Sequence, residues 1–410
     1  MNNYFKNINI SRTFYNNYIN YFIILYAFCL PISRAGVSLS IVLIFLFWIL
    51  EADFKRKYFE IKNNYFILAI FIFILYSFIA VLWSSDKIFA LEYVKKYYHF
   101  LIIPIIFTSL KKEYIDKVFS TFLLGMLISE ITSYGIFFEL WTKEGISPND
   151  PSPFMDHTNY SIYLAFTVFI LMHRILFEPL IKWKIMYGVF MLFSMSNMLV
   201  NGGRTGQVAF FVTLFIVAFL NIKNKLIAIF GSIIFVFIVF TSAYNTSPVF
   251  NDRINYAFHD IEKMIKDKDF TNSFSIRVSL WIIGTEQFLD NFLIGTGIGD
   301  EAVDIQKYVK KYNFIYYDNF QDNYIDYHNA YVQYSVQLGI FGLILFILLF
   351  LNLLKLKFKS IIYRNLNITF ISLYLLLSTV GLSLHIMASM TLFALFSGLF
   401  NAISRFETSQ

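Results

Sequence analysis

Charge is scarce in this 410-residue sequence: Asp, Glu, Lys and Arg make up 15% of it, against about a quarter in ordinary soluble domains. That scarcity excludes a water-soluble globular fold. Cysteine is nearly absent, and the single thiol, Cys29, sits in an apolar run without a partner, so neither a disulfide framework nor a thiolate metal site is available. The histidines and carboxylates are scattered without close spacing, so the expected chemistry uses no metal. A GTGIG run at Gly295 to Gly299 lacks the strand and helix of a dinucleotide site, and no nucleotide cofactor is expected either. No internal repeat of fixed period is present. No small-residue cleavage site follows the first apolar run, which therefore reads as a retained first helix.

What the sequence does have is long apolar runs, with 58% hydrophobic residues overall. Stretches such as Leu226 to Tyr244 and Ile340 to Leu351 lack the polar face of a globular helix and require lipid or other helices around them. Since a bilayer core needs roughly 20 apolar residues per helix, the sequence predicts an all-α, polytopic membrane protein with about twelve spans. They fall near 18–33, 36–50, 64–83, 97–110, 117–139, 159–174, 184–200, 206–221, 224–243, 330–354, 361–380 and 386–404. Three parts follow: residues 1–244 with nine spans, a large loop at 245–329, and residues 330–410 with three more.

The formal charge of +6 belongs to loops and does not imply nucleic acid. Alternate loops are basic, with Lys55, Arg56 and Lys57, then Lys111, Lys112 and Lys117, then Arg174, Lys182 and Lys184, and finally Lys355, Lys357, Lys359 and Arg364. The positive-inside rule puts these loops and both termini in the cytoplasm and the 245–329 loop outside. Lys87, Lys95 and Lys96 fall on the outer side, where they either count against this orientation, which is kept, or serve an anionic ligand.

Three segments on the outer side carry candidate chemistry. In NGGRTGQ, glycines beside Arg204 allow close backbone approach, and a helix N-terminus with a guanidinium suits a phosphate. An interfacial arginine reaching for lipid headgroups fits these residues as well. Arg277 and Trp281, four apart, share a helix face and precede Gly295, Gly297 and Gly299. A surface arginine and a structural turn are the alternative there. His328, in YHNAY before the tenth span, can take a proton from a hydroxyl near neutral pH, or simply cap the helix. His157 and Asn329 are further candidate substrate contacts, as is Trp281, and His385 stands at the start of the last span. His99, His173 and His259 read as structural or surface residues.

Taken together, these segments resemble the bacterial O-antigen ligase family, which includes related polymerases and protein O-oligosaccharyltransferases. NGGRTGQVAFFVTLF is similar to the family's small-residue and arginine motif at a helix start, and RVSLWIIGTEQFLDNFLIGTGIG to its arginine, tryptophan and glycine stretch. HNAYVQYSVQLGIFGLILF resembles its His-Asn segment. Gln337 stands where an acidic residue is often seen and Phe292 where proline is usual, so no catalytic role is carried to position 337. The likeness runs from about Val200 to Phe350.

The resemblance implies a membrane glycosyltransferase of GT-C-like architecture in the bacterial inner membrane, with the large loop in the periplasm. Its donor would be a glycan on undecaprenyl diphosphate and its acceptor a sugar hydroxyl of lipid A-core. Arg204 and Arg277 would bind the pyrophosphate, Arg204 thereby assisting catalysis, and His328 would act on the acceptor hydroxyl as base or orient it. Held by arginines, a lipid diphosphate leaves without metal or cofactor, with inversion. An O-antigen polymerase and a protein O-oligosaccharyltransferase are the alternatives within the family. The His-Asn motif and the chain length without a C-terminal extension favour the ligase. A transporter or lipid flippase, the reading from another class, would need ionisable residues deep in the spans and similar halves, whereas such residues are few and the halves differ, only the second having a large loop.

Overall fold

The computed structural model describes residues 2–246, 248–272, 274–300, 305–312, 326–381 and 383–408. Among them every extended regular element is helical. A helix lies over each apolar run named above. α1 (Asn2–Cys29), α2 (Arg34–Glu51), α3 (Phe54–Lys62) and α4 (Tyr65–Ala80) are followed by α5 (Lys87–Lys95), α6 (Ile102–Ser109) and α7 (Ile115–Phe137). Then come α8 (His157–Phe177), α9 (Ile181–Val200), α10 (Arg204–Asn221) and α11 (Lys225–Thr246). α12 (Pro248–Asp267), α13 (Ser275–Asp290) and α14 (Ile305–Tyr312) occupy the 245–329 segment, and α15 (Ala330–Leu354), α16 (Ile361–Leu377) and α17 (Met387–Thr408) complete the order.

Six of the described helices are long and apolar enough by themselves to cross a membrane, and a seventh is added if α3 and α4, bent by 90°, make one span. The molecule is therefore a polytopic helical membrane protein. The run at 97–110 departs from a single straight helix, because a 3₁₀ turn over Lys96–Leu101 hands on to the eight residues of α6. Pro104 falls in the first turn of α6, where its missing amide leaves no bond unmade.

α17 runs through the centre of the bundle, and its residues from Ser389 to Ser404 are all buried. Phe396 meets Phe166 at 4.7 Å and Phe122 at 5.2 Å in edge-to-face contacts, and Phe393 stacks on Phe370 at 5.8 Å. The outward faces of α2 and α9 stay apolar, with Val42 and Val189 exposed as a lipid-facing surface requires. Lipid offers no hydrogen bonds, so the backbone closes its own in helices.

One end of the bundle is tied by ions. Lys57, 1% exposed, pairs with Glu51 at 2.9 Å and lies over the Trp48 ring. Arg405 reaches Glu60 at 2.6 Å, and Arg12 approaches Asp53 at 3.6 Å. The first helix, the α2–α3 turn and the end of α17 thus share one face.

Candidate functional site

His328 sits on the approach to α15 with φ +49°, a left-handed backbone that a non-glycine residue adopts only when its surroundings impose it. Its neighbours supply those constraints. The Trp281 indole donates to the Tyr327 carbonyl at 2.8 Å, and the Tyr327 amide donates to Gln333 Oε1 at 3.1 Å. Asp326 Oδ1 accepts from the His328 amide at 2.6 Å. Asn329 then opens α15 as its N-cap, Oδ1 accepting from the amides of Tyr331 and Val332 at 3.0 and 3.2 Å. The Ala330 amide donates to the Ser378 carbonyl beyond α16 at 2.8 Å. Trp281 and Asn329, both candidate substrate contacts by sequence, therefore also build the turn that presents His328.

The imidazole of His328 is half-buried, with Nδ1 3.8 Å from Asp326 Oδ2. Burial depresses its pKa below the ordinary 6.5, Asp326 opposes that, and the positive charge of Arg277 adds to the depression. Arg277 is thus close enough to be felt electrostatically. At 3.8 Å the Asp326 carboxylate is an ionic neighbour of the ring and not a hydrogen-bond partner.

The glycines of LIGTGIGD form a structural turn that packs against α15. α15 is interrupted at Gly339, where φ +64° and ψ −163° are far from helical. The interruption frees carbonyls that the glycine loop satisfies: Thr296 N donates to Val336 O at 2.8 Å and Gly297 N to Gln337 O at 3.2 Å, while Ile340 N bonds Phe292 O at 2.8 Å. A side chain at Gly339 would collide with the Leu293 carbonyl. These two motifs, 40 residues apart in the Thr296–Val336 pairing, fold as one joint.

A second constellation forms where α8, α9 and α10 meet. His157, the first residue of α8, bonds Asp150 Oδ2 through Nδ1 at 2.7 Å. The other oxygen, Oδ1, accepts from the Gly202 amide at 3.0 Å. Gly203 lies so close to α8 that a Cβ there would run into the His157 carbonyl and come within 2.5 Å of Ser161 Oγ. The glycines before Arg204 therefore bring the start of α10 against the start of α8. Arg204 opens α10 with its backbone; its side chain lies outside the described residues.

Both constellations occupy the same face. Asn365 donates to Asn221 Oδ1 at 3.0 Å, joining the start of α16 to the end of α10. These helices are antiparallel, so the Arg204 end of α10 lies beside the end of α16, where Ser378 holds Ala330. The same end carries a pair with no local sequence signal: Lys96 Nζ lies 3.2 Å from His385 Nε2, and the His385 ring stacks on Tyr93 at 3.6 Å. Burial and then Lys96 lower the His385 pKa to about 3, so the ring is neutral and Nε2 accepts from the ammonium. Sequence reading singled out Lys96 and His385 separately but not their meeting, and it missed Asp150 and Asp326 as partners of the two histidines. Among the described residues no three His, Cys, Asp or Glu side chains gather as metal ligands would.

A polytopic helical membrane protein that collects basic and imidazole groups at the helix starts of one face is the class defined here. Residues 162–347 match the model of the O-antigen ligase family, which supports membership of this chain in that family. The match includes Arg204, Arg277, Trp281, His328 and Asn329, while His157 precedes it. No curated protein matches the chain.

Proposed function

We propose that this protein is an O-antigen ligase of the bacterial inner membrane, moving a glycan from undecaprenyl diphosphate to a sugar hydroxyl of lipid A-core at the periplasmic face. In this reading the twelve apolar runs cross the membrane, the ion-tied face with both termini is cytoplasmic, and residues 245–329 cover the site from the periplasm. The observation that carries the reading is the fixed presentation of His328 beside Arg277, on the same face as the start of α10.

The acceptor hydroxyl gives its proton to His328 Nε2 as its oxygen attacks the anomeric carbon of the donor sugar. The bond from that carbon to the diphosphate oxygen breaks, and undecaprenyl diphosphate leaves with the electron pair. Attack opposite the leaving group inverts the anomeric centre. Arg204 and Arg277 hold the diphosphate and stabilise the charge developing on it. Lys96, oriented by neutral His385, adds a further cation for the same anion. His157, Trp281 and Asn329 border the substrates, and no metal or cofactor takes part.

The test is transfer by purified protein from undecaprenyl diphosphate-linked glycan to lipid A-core, to a second lipid-linked glycan, or to a serine-rich polypeptide. Product on lipid A-core is expected, and it should persist in EDTA. Elongation of the lipid-linked chain would instead make the protein a polymerase, product on the polypeptide would make it a protein O-oligosaccharyltransferase, and movement of the lipid across vesicles without product would make it a flippase. Arg204→Ala, Arg277→Ala and His328→Ala should each reduce transfer at least about 100-fold, the range for loss of a general base or an oxyanion-stabilising donor. Full activity in all three would overturn the site.

A further inference from the structure

At the end of the bundle opposite His157, α7, α8, α9 and α16 surround a cavity of about 390 Å³ that the transfer reaction does not use. α8 is 21 residues long, so this cavity lies roughly 30 Å from His157 at the usual rise per residue. It belongs to the other leaflet of the same membrane.

The walls of the cavity divide by chemistry. Phe119, Ile170, Phe177 and Leu366 are apolar. Arg174 also lines it, donating to Tyr187 Oη at 3.2 Å and Ser120 Oγ at 3.1 Å. No carboxylate pairs with Arg174 within salt-bridge distance among the described residues, and a guanidinium has five donors, of which these bonds use two. Its charge faces the cavity with no carboxylate in direct contact among the described residues.

His173 supplies the selective feature. It is 1% exposed, and its Nδ1 bonds the Phe169 carbonyl at 2.8 Å. A carbonyl only accepts, so Nδ1 carries the proton and Nε2 of the neutral ring is an acceptor. That Nε2 is buried and has no partner, although His173 lines the cavity. A buried acceptor without a donor is costly and calls for one. Asp116 and Glu178 line the same cavity with carboxylates. The site therefore offers one guanidinium for an anion and, beside it, an imidazole acceptor and two carboxylates for a cation that carries N–H groups.

We propose that this cavity binds the headgroup of a phospholipid bearing a primary amine, phosphatidylethanolamine in kind, from the leaflet opposite the transfer site. Arg174 takes the phosphate, His173 Nε2 and Asp116 take the ammonium, and the apolar wall takes the upper acyl chain. A choline headgroup has no N–H to give His173, and a purely anionic headgroup meets the carboxylates of Asp116 and Glu178 unpaired.

Native mass spectrometry of the detergent-solubilised protein, titrated with phosphatidylethanolamine, phosphatidylcholine or phosphatidylglycerol of identical chains, tests this. One phosphatidylethanolamine should be retained at least ten-fold more tightly than either competitor, and glycerophosphoethanolamine without chains should not displace it. Asp116→Asn, an isosteric change at an exposed position, should remove the preference over phosphatidylcholine, and Arg174→Gln should weaken all binding. Equal affinity for the three lipids, a preference for phosphatidylglycerol, or displacement by the chainless headgroup would overturn the proposal. So would an unchanged preference in Asp116→Asn. None of these readouts involves glycan transfer, so the proposal stands or falls apart from the function proposed above.

Discussion

Burial and the Arg277 charge hold the His328 imidazole below its ordinary 6.5, while Asp326 pulls the other way. A base must be neutral to act, so a lowered pKa extends activity toward acid. The transfer rate of the intact protein should therefore stay level as pH falls through 6.5 and decline only below it. Asp326→Asn removes the one influence that raises this pKa, so the decline should move to still lower pH. Initial rates across the acid range check this, and a decline that moved upward would show that Asp326 does not act on His328 electrostatically. The identity of His328 and Arg277 as candidates was legible because they sit in recognisable motifs. Asp150 was not, because the loop closing from Asp150 to His157 follows no periodicity that a residue count can detect. Asn329 could have been read as a cap, since Asn immediately before an apolar helical run is a start signal.

At the scale of the element, α15 is the instructive case. The run from Val332 to Leu354 looks continuous in hydropathy, and apolar composition carries no information about a single positive φ at Gly339. The glycine loop was open to a structural turn, and its amides repair the broken helix. A substitution tests that joint directly. Gly339→Ala must hold a Cβ at φ +64° against the Leu293 carbonyl, a strain of about 1–3 kcal/mol. Thermal unfolding of the purified variant should show a lowered midpoint. Gly231→Ala, in α11 with nothing near its missing Cβ, should leave the midpoint unchanged or raise it.

For the whole molecule, the apolar runs located the helices because lipid imposes one rule on every exposed backbone group. What they did not reveal was which ends meet, since Lys96 and His385 are 289 residues apart and helix packing, not spacing, joins them. Sidedness is open to a labelling experiment that the lone thiol makes simple. Cys29 is 8% exposed and its replacement by Ser should leave transfer intact. In that background, Glu144→Cys should react with an impermeant maleimide on spheroplasts, whereas Lys359→Cys should react only after the membrane is opened. The reverse pattern would invert the proposed orientation.

The burial of α17 has a consequence for how the protein is made. Its central residues touch helices from early and late in the sequence alike, and almost none of its surface is left for lipid. Of the described helices it is the last to leave the ribosome, so those before it must wait in the bilayer around an unfilled centre. Filling that centre is thus a decisive step of assembly, and a chain stalled before Met387 should be less stable in the membrane than one that has inserted α17.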